Sequence, residues 1–215
     1  KFQKLVQGRG EKDYYLRGTF THHNLDFAAD VMHIADQGFR HVSVEPVVGS
    51  PDCGYALQEE DLPAILEEYE RLAEALLKRD DINFFHFNVD LAQGPCVIKR
   101  MRGCGAGCEY VAVTPEGDIY PCHQFVGNEE YKLGSLYDGS FDMKLSRKFA
   151  GLNIYTRPDC KDCWAKFYCS GGCSASNLLV NGDIKKPNQF GCEMQRKRLE
   201  CAIAMKAVRA GMAGE

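Results

Sequence analysis

At 215 residues, 45% hydrophobic and 26% charged, the chain has room for one large or two small globular domains. A net charge of -4 and basic runs as short as Lys99-Arg100 and Arg196-Lys197-Arg198 exclude a polyanion-binding stripe, so no nucleic-acid partner is expected. No apolar stretch reaches the roughly eighteen residues that a membrane span needs, and no membrane partner is expected. Lys1-Phe2-Gln3-Lys4 has neither an initiator Met nor an apolar run, so the chain is expected to begin inside a longer protein.

Through residue 95 the chain reads as strand alternating with helix. Tyr14 to Phe20 is a short branched and aromatic run that suits a strand. Asn24 then stands as a cap for the apolar series Leu25, Ala28, Ala29, Met32 and Ala35, which Gly38 closes. His41 to Val47 is the next strand, and residues 49–54 form a loop. The strongest helical period lies between residues 59 and 79: Leu62, Ile65, Leu66, Tyr69, Leu72, Ala73 and Leu76 share a face, with Pro63 in the first turn. Asn83 to Val89 supplies a third strand. This order predicts an α/β fold around a parallel sheet, with function at the carboxyl ends of the strands. Arg17, Thr19 and Thr21 fall on one face by alternation, and Glu45 ends the second strand.

From residue 96 the regular period gives way to Gly and Cys. Tyr110 to Thr114 and Ile119-Tyr120 predict a hairpin turning at Glu116-Gly117. A segment of this texture is expected to depend on bound metal to fold. Met194, Lys197, Arg198, Cys201, Ala204, Met205 and Val208 predict a closing helix, with Cys192 just ahead of its first turn. The domains expected are therefore 1–95, 96–191 and a helix, 192–215, completing the second.

Eleven cysteines are present. Four stand as Cys160-x2-Cys163-x5-Cys169-x3-Cys173, with Cys192 beyond them and Cys104, Cys108 and Cys122 before. Four thiolates hold one zinc or one [4Fe-4S] cluster, so these positions are enough for two centres. A disulfide framework staples chains too small for a core, which this one is not, and close Cys-x2-Cys spacing in a reducing cytoplasm reads as metal ligation. A pair of structural zincs would favour two compact Cys-x2-Cys pairs per site, and only one such pair exists. Cys53 and Cys96 match no ligand position, and Cys201 lies on the apolar stripe of the last helix.

With Gly117-x4-Cys122 ahead of the Cys160–Cys173 block and Cys192 behind it, the chain resembles the SPASM domain of radical SAM peptide-modifying enzymes. The residues around Cys104 and Cys108, and Tyr168-Cys-Ser-Gly-Gly-Cys-Ser-Ala175, are most similar to maturases of SCIFF (six cysteines in forty-five) peptides, of the sactipeptide and ranthipeptide type. The resemblance implies the later strands of a partial (β/α)6 barrel followed by a SPASM domain. It implies two auxiliary [4Fe-4S] clusters, the first on Cys104, Cys122 and Cys173 and the second on Cys160, Cys163, Cys169 and Cys192. Cys108 is either the fourth ligand of the first cluster or leaves one iron open to a substrate thiolate. Arg17, Thr19, Thr21 and Glu45 match the region where such enzymes contact S-adenosylmethionine or substrate. His123 replaces the aspartate that serves as base in sulfatase-maturing relatives, and stands as a base candidate.

The superfamily's Cys-x3-Cys-x2-Cys loop is not completed, since Val111 and Ser176 stand where third ligands would be. The resemblance thus implies a missing amino-terminal half carrying a third [4Fe-4S] cluster and S-adenosylmethionine. It further implies a Cys-rich precursor peptide as substrate, a thioether as product, a ferredoxin or flavodoxin as reductant, and an anaerobic bacterial cytoplasm. Peptide dehydrogenation, carbon-carbon crosslinking and a non-catalytic iron-sulfur or zinc module stay open as alternatives.

Overall fold

The computed structural model describes residues 1–10, 12–91 and 100–212. It divides into two compact units, residues 1–94 with 193–215, and residues 95–192.

In the first unit an exposed helix α1 (Phe2–Gly8) precedes β1 (Leu16–Phe20), α2 (Phe27–Asp36), β2 (His41–Pro46), α3 (Leu62–Leu77) and β3 (Asn83–Phe84). The strands form a parallel sheet in the order β1-β2-β3, with Thr19 opposite Glu45 and Arg17 opposite Ser43. Parallel neighbours need a crossover, and α2 and α3 supply the two required. Their apolar faces bury Phe27, Val31, Ile65, Tyr69, Leu72 and Leu76 together with Phe20 and Val42 of the sheet. Phe20 stacks on Phe27 at 4.5 Å, and Phe27 meets Tyr69 at 4.7 Å, so aromatic contact joins sheet to both helices.

Two expectations change here. Asn24 does not cap α2: its Oδ1 accepts from Thr21 N at 2.9 Å and Thr21 Oγ1 at 2.8 Å, closing a turn, and the helix starts after Asp26. The third strand stops at Phe84 and a 3₁₀ turn, Phe85–Phe87, replaces the rest. Phe84 and Phe87 are both buried and meet at 5.1 Å. Strand alternation would send positions three apart to opposite faces, whereas a tight turn brings them to one.

The last helix, Gln189–Met212, starts earlier than predicted, so Cys192 lies inside its first turn. From Glu193 onward it groups with the first unit instead of completing the cysteine-rich one. The reason is a set of contacts to α3. Arg198 Nε donates to Tyr69 Oη at 2.7 Å, Lys197 Nζ to Glu70 Oε1 at 2.6 Å, and Arg209 Nη2 to the Leu76 carbonyl at 3.0 Å.

The second unit carries an antiparallel sheet of β4 (Ala112–Val113), β5 (Asp118–Tyr120), β6 (Gly134–Ser135) and β7 (Ser140–Phe141) in that order. The predicted hairpin turn is present: Gly117 N donates to Thr114 O and Thr114 N to Asp118 O, both at 2.9 Å. Helices α4 (Met143–Ala150), α5 (Lys166–Cys169) and α6 (Ser174–Asn181) follow, and the last helix of the chain is α7. Asp142 Oδ1 caps α4 by accepting from Lys144 N and Leu145 N. Tyr120, Cys122, Phe125, Tyr131, Phe149, Leu152, Ala175 and Ile184 form a small core rich in aromatics. Cys96 lies outside the described residues.

The tightest point of the sheet is Gly134, whose φ is +150°. A Cβ there would stand 2.1 Å from the Ser140 carbonyl oxygen of the paired strand. Gly134→Ala is expected to destabilise the second unit by about 1–3 kcal/mol or more, read as a lowered thermal midpoint by circular dichroism. An unchanged midpoint would contradict this account of the β6–β7 pairing.

Candidate metal centre

The loop from Cys104 to Tyr110 is fastened to the strand end that carries Cys122. Gly107 N donates to both Tyr110 O and Pro121 O at 3.0 Å, and Ser146 Oγ donates to Gly107 O at 2.8 Å. Cys122 is buried in the core just described. Burial pushes its thiol up, Cys173 and Cys104 add to the rise, and the backbone N–H groups of Gln124 and Phe125 oppose it. Tyr110 Oη donates to Cys104 Sγ at 3.7 Å. Burial raises the Tyr110 phenol, with Cys104, Cys122 and Cys173 all contributing. Cys104, Cys122 and Cys173 therefore act on one another as a group. Cys108 shares the loop, and its Sγ donates to Gly105 O at 3.4 Å.

A second group forms around α5. Burial pushes the Cys160 thiol up, and Cys169 and Cys163 add to it. Burial also raises Cys169, against the backbone N–H groups of Gly171 and Gly172. Ser170, Gly171 and Gly172 have φ of 59°, 91° and 73° in succession. The loop they form turns back so that the Gly171 and Gly172 amides reach Cys169 at the end of α5. Cys192 is half-buried in the first turn of α7. Arg157, 3% exposed, is the buried cation nearby: burial lowers its pKa, and Cys160, Cys169 and Cys173 counter this.

In the first unit the sheet gathers a polar cluster. Arg17 Nη2 and Ser43 Oγ both donate to Glu45 Oε1, at 3.2 Å and 2.8 Å. His86 Nε2 lies 3.0 Å from Glu45 Oε2, close but not aligned for a hydrogen bond, so the contact is electrostatic. Burial works against the Glu45 carboxylate, yet His86, Ser43 and Arg198 outweigh it and hold its pKa at about 2. Burial lowers the His86 pKa, Glu45 opposes this, and Arg198 and Arg17 add to the lowering. Arg17 and Thr19 are exposed on the sheet as alternation requires. Thr21 is different: its hydroxyl donates to Asn24 in the turn and accepts from His23 N. His123 is exposed beside Cys122, its Nε2 3.2 Å from Gln124 Nε2.

Residues 104–164 match the family profile of the SPASM iron-sulfur cluster-binding domain. The match spans Cys104 to Cys163 and stops short of Cys169, Cys173 and Cys192. The fold is similar to that of native anSMEcpe with bound AdoMet, at 17% identity and a TM-score of 0.63 over 96% of this chain and 61% of that one. It is equally similar to native anSMEcpe with bound AdoMet and Kp18Cys peptide, over 98% of this chain and 62% of that one. An uncharacterized protein of Archaeoglobus fulgidus is 28% identical over 107 residues, 49% of this chain and 24% of its own length. The chain thus spans under two thirds of these solved chains and about a quarter of the archaeal protein.

The donor set fits the iron-sulfur clusters of such a domain. Among the described residues no three His, Cys, Asp or Glu side chains converge tightly enough to hold one ion. A cluster asks for a different arrangement, thiolates spread around several irons, with hydrogen bonds to the sulfurs setting the potential. Two loose thiol groups with amides of Gln124, Phe125, Gly171 and Gly172 turned to their sulfurs supply that chemistry.

Sequence reasoning missed His86, Arg198 and Arg157. Glu45, which it found, carries a pH dependence. Its folded pKa lies below the ordinary carboxylate value, so its contribution is present above about pH 4 and lost as the pH falls toward 2. The thermal-midpoint advantage of wild type over Glu45→Gln is expected to vanish across that window. A gap that persists unchanged at pH 2 would contradict the charge assigned to Glu45.

Proposed function

We propose that this chain is the carboxyl-terminal part of a radical SAM peptide maturase that joins a cysteine sulfur to a carbon in a Cys-rich peptide. The observation that carries the reading is the gathering of the thiols into two groups, beginning in the SPASM-matching segment and continuing past it. Cys104, Cys122 and Cys173, with Cys108 as fourth, are assigned to one [4Fe-4S] cluster. Cys160, Cys163, Cys169 and Cys192 are assigned to the other. The likeness to anSMEcpe with bound AdoMet and Kp18Cys peptide supports S-adenosylmethionine as cofactor and a peptide as substrate.

When bound, S-adenosylmethionine and a third cluster supply the hydrogen-abstracting radical, and the two clusters here supply a path for the surplus electron. The residues of this chain do the positioning. Thr19 and Glu45 stand opposite each other late in β1 and β2, and Arg17, near the start of β1, reaches Glu45; a guanidinium fork suits a carboxylate and a carboxylate suits hydroxyl or amine donors. Arg17 already gives one nitrogen to Glu45, which fixes the fork's direction before any ligand arrives. Thr21 serves its own turn and orients the backbone that follows β1. His123 remains the base candidate, an exposed imidazole directly after a proposed cluster ligand.

The reading is tested first by composition. Anaerobic reconstitution is expected to give about eight irons and eight sulfides per chain, with Cys160→Ala losing about half of each. Retention of zinc, or a full count in Cys160→Ala, would overturn the ligand assignment. Cys108→Ala is expected to remove or distort the cluster on Cys104, Cys122 and Cys173, seen by electron paramagnetic resonance. An unchanged signal would mean that Cys108 is no ligand.

Chemistry is tested by product mass. In the complete enzyme, thioether formation removes two hydrogens from the peptide and one countable thiol. Loss of two hydrogens with every thiol intact would redirect the reading to dehydrogenation or a carbon-carbon link. Cys122→Ala is expected to abolish crosslinking while some cleavage of S-adenosylmethionine continues.

A further inference from the structure

Arg157 lies three residues before Cys160 and is almost wholly buried. Its Nη1 donates to Ile184 O at 2.6 Å and Lys185 O at 3.3 Å, and its Nη2 donates to Ser174 Oγ at 2.9 Å. The Nε–H, also buried, has no hydrogen-bond partner among the described residues. That edge of the guanidinium lies against the loop of residues 170–172: a Cβ on Gly171 would stand 2.8 Å from Nε. Gly171 is one of the two residues whose amides reach Cys169, and Ser174 directly follows Cys173. The guanidinium is thus clamped by one nitrogen to the 184–185 carbonyls and by another to the residue beside Cys173. Its third nitrogen is left at the loop that wraps Cys169.

We propose that Arg157 is a fixed positive charge set between the two thiol groups, which raises the reduction potential of the clusters they hold and acts most strongly on the Cys160, Cys163 and Cys169 group. This rests on the reading that both groups ligate clusters. Reduction adds one electron, and with it one unit of negative charge, to a cluster. A cation held nearby in a low-dielectric interior stabilises that reduced form. Arginine suits the task because its guanidinium stays charged even when buried and its flat fork allows no drift. The thiols that meet its charge are Cys160 and Cys169 of one group and Cys173 of the other.

A buried arginine can also be a clip, here tying the 184–185 turn to α6, and the experiment separates the two roles. Dithionite titration of the reconstituted protein, followed by electron paramagnetic resonance, gives the midpoint potential of each cluster. Arg157→Gln removes the charge, and Arg157→Lys keeps the charge but loses the fork. Arg157→Gln is expected to lower the potential of the cluster on Cys160, Cys163 and Cys169 by about 59 mV, a tenfold change in a one-electron equilibrium. The other cluster should move less, and Arg157→Lys should leave both near wild type.

Full iron content with unchanged potentials in Arg157→Gln would overturn the proposal, as would equal shifts in the Gln and Lys variants. Failure of the wild-type protein to bind iron and sulfide would instead defeat the cluster reading beneath it. If Arg157→Gln does not assemble, wild type grown with 15N-arginine decides the matter by pulsed electron paramagnetic resonance. A nitrogen coupling to the reduced cluster that disappears in Arg157→Lys supports the proposal, and its absence in wild type overturns it.

Discussion

The second unit is governed by the burial of its thiols. Cys122, Cys160 and Cys169 are all pushed toward the neutral thiol by removal from water, and each has another cysteine nearby that makes a second ionisation harder. Only a bound cation reverses that balance, because coordination strips the proton outright. On the proposed cluster assignment, metal uptake, proton release and completion of the fold form one linked equilibrium. Around it the protein has built what a neutral thiol does not require: amides of Gln124, Phe125, Gly171 and Gly172 turned toward sulfur. Such donors stabilise negative charge, so the backbone is organised for thiolates.

The first unit meets the opposite problem, the burial of a carboxylate, and solves it without metal. Glu45 is surrounded by Arg17, Ser43, His86 and Arg198. β1, β2, the 3₁₀ turn after β3 and α7 contribute to it, so the helix that closes the chain is part of the electrostatics around Glu45. Arg198 does two jobs here, since its Nε fixes Tyr69 at 2.7 Å while its charge lowers Glu45.

What was legible in the chain followed from period and spacing. The apolar period of α3, the alternation of Arg17 and Thr19 on β1, and the hairpin at Gly117 were all visible. The close cysteine spacings were visible too, whereas their assignment to two sets rests on the family resemblance and not on spacing alone. What was hidden depended on partners far away in sequence. His86 was hidden because Phe84 and Phe87 exchange a strand for a tight turn. Asn24 was misread because its carbonyl serves Thr21 before it can serve the helix. The pairing of β6 with β7 left no mark, since strands of two residues carry no period. Arg157 and Arg198 look like ordinary surface arginines until burial is known.

Those two arginines share a feature that bears on how each unit works. Both are buried, both are held by good hydrogen bonds, and each keeps one nitrogen, Arg157 Nε and Arg198 Nη2, without a partner among the described residues. An unpaired buried donor on a charged group is costly, on the order of 1–3 kcal/mol or more. In each unit the donor belongs to the group with the widest electrostatic reach, over Glu45 and His86 in one and over Cys160, Cys169 and Cys173 in the other. Burial raises the strength of that reach by excluding water, and the flanking hydrogen bonds keep the charge from moving to relieve the strain. Each arginine therefore holds its charge in one place, beside Glu45 in one unit and beside the thiols in the other.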